Sequence, residues 1–358
     1  MRKSMLVGAG LLALGLAAAP AAFAQAAAYT PPKTSWGVPD LQGNWTNSSI
    51  TKMTRPSGID SLVLTPAQAK ALEDGDYNNI RTKEELKPTD QKEGAPEKGA
   101  PLPAVGNYNA VWVDPGAHVA VVNGELRSSW ITEPANGKIP YKAGRGGGRY
   151  EGAVGGPATT AAAAAAAAAR SYEGPESRSV GERCLVGFGN TGGPVMNNVL
   201  YNNTYQIVQS PTHAMILVEM VHDARIIPIV ASKAEVKHDP SGIKKWLGDS
   251  VGWYEGNTLV VETKNVHPQQ RGYLSDNGTM IERFTRAEDG VVLYQFEIND
   301  PEQYSQVWKG EMPMRAANGA VYEYACHEGN YGLLGILEGA RMQEKRGGTL
   351  ELTSDDEG

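Results

Sequence analysis

The sequence is poor in cysteine, in phenylalanine and in clustered positive charge. Its 358 residues include two cysteines, Cys184 and Cys326, and four phenylalanines. Two cysteines exclude a disulfide-dense miniature scaffold and any four-cysteine metal site. No HExxH, HxH or CxxC spacing occurs, so no metal is expected. No Gly-x-Ser-x-Gly elbow, phosphate loop or dinucleotide fingerprint sits between a strand and a helix, and no cofactor is expected either. Basic residues number 33 against 40 acidic ones, a net charge of −7, without a long run of Lys or Arg. Nucleic acid and anionic membrane both require a basic face, and neither is an expected partner. Beyond the N-terminus no segment approaches the ~20 apolar residues that span a bilayer, which argues against stable membrane insertion.

The N-terminus itself is distinctive. Arg2 and Lys3 precede an apolar stretch over residues 5–16, and Ala22-Phe23-Ala24 stands before Gln25. This is the pattern of a secretory signal peptide cleaved near Ala24. The apolar core is too short for a membrane anchor. A periplasmic or secreted protein is expected. In an oxidising compartment Cys184 and Cys326 suggest one disulfide, worth ~4–5 kcal/mol in the chain-entropy model because the loop is long. The alternative is two separate reduced thiols, one of them beside His327 and Glu328.

Glycine is abundant (42), and tyrosine (15) and tryptophan (7) supply most of the aromatic surface, a balance that suits β-structure with many turns. Thr65-Pro66 predicts a short helix over 66–73, with Thr65 as cap and Pro66 in the first position. Strand-like runs follow at 110–113, 118–122 and 125–132. A longer series lies at 205–209, 214–221, 225–230, 258–263, 280–286, 291–298, 306–314 and 321–325. Glu255-Gly256-Asn257 and Glu288-Asp289-Gly290 are hairpin signals within it. Residues 331–345 have helical spacing. The expected fold is therefore mainly β: an antiparallel meander closing into a lipocalin-like barrel, with a short N-terminal helix and a C-terminal helix. The expected organisation is a signal peptide (1–24), an extended N-terminal arm with a helix and loop (25–104), and the barrel-like domain (105–345). A low-complexity insertion (143–180) carries nine consecutive alanines, and a disordered tail (346–358) ends the chain.

Several blocks occur together: Trp36-Gly-Val-Pro-Asp-Leu-Gln-Gly-Asn-Trp45-Thr, Gly181-Glu-Arg-Cys184, Met220-Val-His-Asp-Ala-Arg-Ile-Ile-Pro228, Trp246-Leu-Gly-Asp-Ser250 and Tyr322-Glu-Tyr-Ala-Cys-His-Glu-Gly-Asn-Tyr331. In this order they resemble a widespread group of exported, mostly uncharacterised bacterial proteins, over most of residues 34–345. That resemblance carries no activity with it. Gly43-Asn44-Trp45 also resembles the Gly-x-Trp start of lipocalins; an ordinary Trp anchoring an N-terminal arm is the other reading.

Titratable residues set in apolar strands are the candidates for chemistry. Glu219, His222, Asp223 and Arg225 interrupt the apolar run 214–230, where charge is costly unless paired or used. In one reading Asp223 and Arg225 form an ion pair that pins a strand end. In the other, a bend at His222-Asp223 gathers a pocket in which His222 moves protons and a carboxylate orients it. Cys326-His327-Glu328 ends a strand-like run, a natural place for a ligand site at a barrel mouth. His327 and Glu328 are therefore expected to join His222 and Asp223 as proton-transfer and orienting groups, with Glu219 and Arg225 as substrate contacts. Glu282 and Glu297 are pocket carboxylates or members of cross-strand salt bridges. His118, His213, His238 and His267 fall near turns, where solvation is the expected role. The leading expectation is acid–base chemistry on a small, partly apolar molecule, as a lyase, isomerase or hydrolase. The alternatives are a lipocalin-like binding protein with a deep apolar cavity and a structural envelope protein.

Overall fold

The computed structural model describes residues 29–85, 113–143 and 172–346, except 194, 268 and 271. The chain divides into two units, Met1–Thr30 and Pro31–Gly358, and the description below concerns the second. The expected signal peptide, the loop at 87–103, most of the strand-like run 110–113, the alanine run and the tail beyond 346 lie outside the described residues.

Strand β1 is Gly43–Thr46. It begins where Gly43 adopts φ +140°, a backbone conformation that favours glycine. Two helices follow, α1 (Pro66–Gly75) and α2 (Tyr77–Glu85). The Thr65 cap expected from sequence is present as a full capping box: its side chain accepts from the Gln68 N–H, and the Gln68 side chain reaches back to the Thr65 N–H. Helix α2 was not legible in the sequence, because its face is almost wholly polar and carries no apolar period. A small hairpin, β2 (Val121–Val122) and β3 (Glu125–Leu126), precedes β4 (Ile131–Glu133).

The main series is β5 (Thr204–Gln209), β6 (His213–Val218), β7 (Ala224–Pro228), β8 (Asp249–Glu255), β9 (Thr258–Lys264), β10 (Thr279–Glu288), β11 (Val291–Asn299) and β12 (Trp308–Ala316). They form one antiparallel sheet in the order β7-β6-β5-β1-β12-β11-β10-β9-β8, with β4 paired to the far end of β12. The two outer strands meet: Ile229 and Gly252 form a parallel bridge, and the Val230 N–H donates to the Gly252 carbonyl at 2.9 Å. The sheet is thus a nearly closed barrel with a short seam between β7 and β8, which disposes of its edges. The segment expected as an arm supplies β1, which bridges the C-terminal strand to β5.

Alternation decides what faces inward. On β11, Val292, Tyr294, Phe296 and Ile298 are buried while their neighbours are half-exposed. Phe296 lies opposite Gly310, where an added Cβ would stand 2.2 Å from its ring. Aromatic side chains fill the interior, with Phe296, Tyr273 and Tyr304 each edge-on to Trp308. Trp45 is buried beneath the Arg286 guanidinium, 5.6 Å from its ring, and donates to the Leu41 carbonyl.

The loop over 186–197 plugs the barrel. Val186, Thr191, Val195 and Met196 are buried there, and Tyr205 donates to the Thr191 carbonyl at 2.9 Å. Cys184 and Cys326 form a disulfide with 5.7 Å between Cα atoms, so the reading as two free thiols does not hold. The disulfide ties the approach to this plug to the segment before α3 (Tyr331–Lys345), which Asn330 caps. Residues 321–325 are not a strand. Tyr322 and Glu323 are exposed, and the Tyr322 N–H goes to the Glu219 carboxylate at 3.0 Å rather than to a neighbouring strand.

Candidate functional site

The run 214–230 folds back on itself, and the turn between β6 and β7 separates its charged residues. Val221 and His222 adopt φ values of +60° and +45°. A left-handed conformation is a strained state for a β-branched residue. The Val218 N–H to Asp223 carbonyl bond at 2.7 Å closes the turn. Four neighbours in sequence thereby reach four different environments.

Arg225 points into the barrel, and its expected partner Asp223 is not the one it finds. Its guanidinium pairs with the Glu282 carboxylate of β10 through both terminal nitrogens; the two side chains are 1% and 0% exposed. It also reaches Ser250 on β8 at 3.3 Å and Thr263 on β9 at 3.2 Å. Tyr294 donates to Glu282 at 3.0 Å. Burial alone would lower the Arg225 pKa, but the charge and hydrogen bonds of Glu282, with smaller contributions from Tyr294 and Tyr205, together raise it. Burial, then the Glu282 charge, raises Tyr294 well above the ordinary phenol value. Gly193, at φ +92°, lies against this guanidinium, and a Cβ there would stand 3.1 Å from Nη1. The network ties β7 to the far side of the seam and is fully enclosed, so Arg225 is out of reach of a ligand entering from outside.

Glu219 takes the opposite direction. It is buried, and its two oxygens accept the Thr204 N–H at 3.1 Å and the Tyr322 N–H at 3.0 Å. His222 is exposed. Asp223 is half-buried, and burial pushes its carboxyl up to about 6, with the neighbouring His222 acting in the other direction. His327 and Glu328 are both exposed on the turn after Cys326. Among the described residues no hydrogen bond or ion pair joins His222 or Asp223 to His327 or Glu328. Among them, too, no group of three His, Cys, Asp or Glu is placed to hold a metal, and no helix is long and apolar enough to cross a membrane.

What Glu219 and Cys326 share is a cleft of about 1180 Å³ beside the disulfide. One wall is the 200–204 segment, with Leu200, Tyr201 and Asn202; the other is the extended chain 322–326 and the first turns of α3, with Leu333 and Ile336. Tyr201 and Tyr324 stack across it, ring centroids 6.3 Å apart and planes within 13°. Burial, then the proximity of Tyr201, raises the Tyr324 pKa. Asn330 secures this wall by donating to the Glu182 carbonyl at 2.8 Å. The Tyr322-Glu-Tyr-Ala-Cys block contained two of these walls' aromatic groups, but Tyr201 and Leu200 carry no motif and become site residues only through the fold.

His238 also departs from expectation. Its ring nitrogens each contact a carboxylate at 3.0 Å, Asp249 on one side and Glu262 on the other, and its side chain is 14% exposed. Solvation is not its role; it ties the 238–239 loop to β8 and β9.

Neither a family model nor a curated protein matches the chain.

Proposed function

We propose that this protein is exported and binds a small, partly apolar molecule in the cleft between residues 200–204 and the start of α3. The carrying observation is the cleft itself: a volume of about 1180 Å³, walls of leucine, isoleucine and tyrosine, and a few polar groups among them. The barrel interior is filled by its own aromatic side chains and the Arg225–Glu282 pair, so a ligand site falls at the outer cleft and not in a deep lipocalin-type cavity. The disulfide beside the cleft supports export, since such bonds persist in oxidising compartments. Export to the periplasm or medium is tested by N-terminal sequencing of the extracytoplasmic protein, which is expected to begin at Gln25. Ligand binding is tested by a thermal-shift screen of small molecules against the wild-type protein and Tyr324→Ala. Compounds that stabilise the former and not the latter support the cleft. Equal stabilisation of both by every active compound would remove it.

A second reading, acid–base catalysis on the same class of molecule, is favoured by Asp223. A carboxyl titrating at about 6 is suited to proton transfer near neutral pH, and His222 adjoins it. Turnover of a small, partly apolar molecule that disappears in Asp223→Asn, a residue outside the cleft lining, would favour this reading over a carrier.

A further inference from the structure

We infer that the cleft selects an organic cation with an apolar body, an ammonium compound, over neutral or anionic molecules of the same shape. This rests on the cleft being the ligand site. No Lys, Arg or His lines the cleft among the described residues, whereas Asp114, Glu182, Glu219 and Glu323 do. Glu182 is balanced by Arg178; burial would raise its carboxyl, but hydrogen bonds from Arg178 and Ser179 together hold it below the ordinary value. The other three form no ion pair among the described residues. Asp114 and Glu323 are exposed at the rim. Glu219 is different, because it is 3% exposed and among the described residues its oxygens accept from two backbone N–H groups. Those bonds give each oxygen one donor, and among the described residues no cation pairs with its charge, in surroundings where charge interacts more strongly than in water.

Aromatic groups add to this. The faces of tyrosine rings carry negative quadrupole density and attract cations, most of all where water is partly excluded. Tyr201, Tyr322 and Tyr324 line the same cleft as the three carboxylates. Leu200, Leu333 and Ile336 supply the surface for an apolar body. An anion would meet three uncompensated negative charges, and a neutral molecule would gain nothing from them. The net charge of −7 raises the local concentration of cations still further.

The test uses three probes of one skeleton: phenethylammonium, phenethyl alcohol and hydrocinnamate. Binding is followed by the NMR signals of the Tyr201 and Tyr324 rings in the full chain at neutral pH and low salt. Phenethylammonium is expected to bind at least tenfold more tightly than the alcohol, and hydrocinnamate more weakly than either. Asp114→Asn with Glu323→Gln, both at exposed positions, is expected to weaken the ammonium probe severalfold and leave the alcohol unchanged. Glu219→Gln is expected to weaken it more, and the rim pair keeps the test decisive if that variant does not fold. Equal binding of ammonium and alcohol would overturn the cation inference while leaving the cleft as a site for neutral molecules. If no probe shifts the tyrosine signals, both the cleft and the inference are overturned.

Discussion

Replacing Glu282 by glutamine changes almost no volume yet removes the charge that balances Arg225 at the centre of the barrel. The guanidinium is 1% exposed, and its other hydrogen-bond partners among the described residues are the hydroxyls of Ser250 and Thr263. Breaking a buried ion pair in this way costs about 3–5 kcal/mol, because one charge is left uncompensated in a medium of low polarity. Set against a total stability of about 5–15 kcal/mol for a folded domain, that is a large fraction. The companion variant, Arg225→Met with Glu282→Gln, removes both charges. The introduced amide oxygen can still accept the Tyr294 hydroxyl, and Ser250 and Thr263 remain bonded to each other at 2.9 Å. The double variant is therefore expected to recover most of the loss. Urea unfolding of the wild type and of the single and double variants measures the difference. Hydrogen exchange at the Val230 amide, which bonds Gly252 across the seam, is expected to accelerate in the single variant. A cost below about 1 kcal/mol for Glu282→Gln, or a double variant no more stable than the single one, would refute the view that charge balance across the seam holds the barrel closed.

Reducing the disulfide frees a loop spanning 142 residues of sequence, and the chain-entropy relation puts the loss at about 5 kcal/mol. Denaturation of wild type with and without reductant, beside Cys184→Ser with Cys326→Ser, checks this. Asp223 gives a pH dependence of defined sign. Its folded-state pKa, about 6, lies above its unfolded value of 3.8, so between those values the folded state binds more protons. The contribution of Asp223 to stability is expected to fall as pH rises from about 4 to about 6, opposite in sign to that of the carboxyls held low, such as Asp249. Asp223→Asn is expected to abolish that slope and to gain about 1–2 kcal/mol at pH 7, after allowing for the screening of a half-buried group. Chemical denaturation across this range, wild type against variant, measures both. Gly310→Ala places a methyl group 2.2 Å from the Phe296 ring and 2.8 Å from the Trp130 carbonyl, and overpacking of this kind costs about 1–3 kcal/mol by thermal or chemical unfolding.

The barrel was legible because most of its strands carry their own signal; β1, which lies in the segment expected as an arm, does not. Period-two burial on β5, β6, β10 and β11 and the turn residues between them, Ser210-Pro211-Thr212 and Asp289-Gly290, are local properties, and a meander joins neighbours in sequence. The misreadings fall where a local pattern lacks a long-range partner. Residues 321–325 alternate like a strand, yet the Tyr322 amide is claimed by Glu219, about a hundred positions earlier, and among the described residues no strand pairs with them. Arg225 looked to Asp223, two residues away, when its partner Glu282 stands across a seam that exists only once the barrel has closed. The site follows the same rule. Charged residues in an apolar run signalled that something held them, but strand alternation alone did not say that the turn at Val221 and His222 would turn Arg225 inward, Glu219 toward the cleft and His222 into solvent. Within the described residues the cleft is lined by segments far apart in sequence, at 113–114, 181–182, 200–204 and 322–336, held together by the disulfide and by the Glu219 carboxylate, which hydrogen-bonds to both Thr204 and Tyr322. Its chemistry is a property of that meeting, and a search for catalytic motifs along the chain passes over it because no single segment holds its charged, aromatic and apolar groups together.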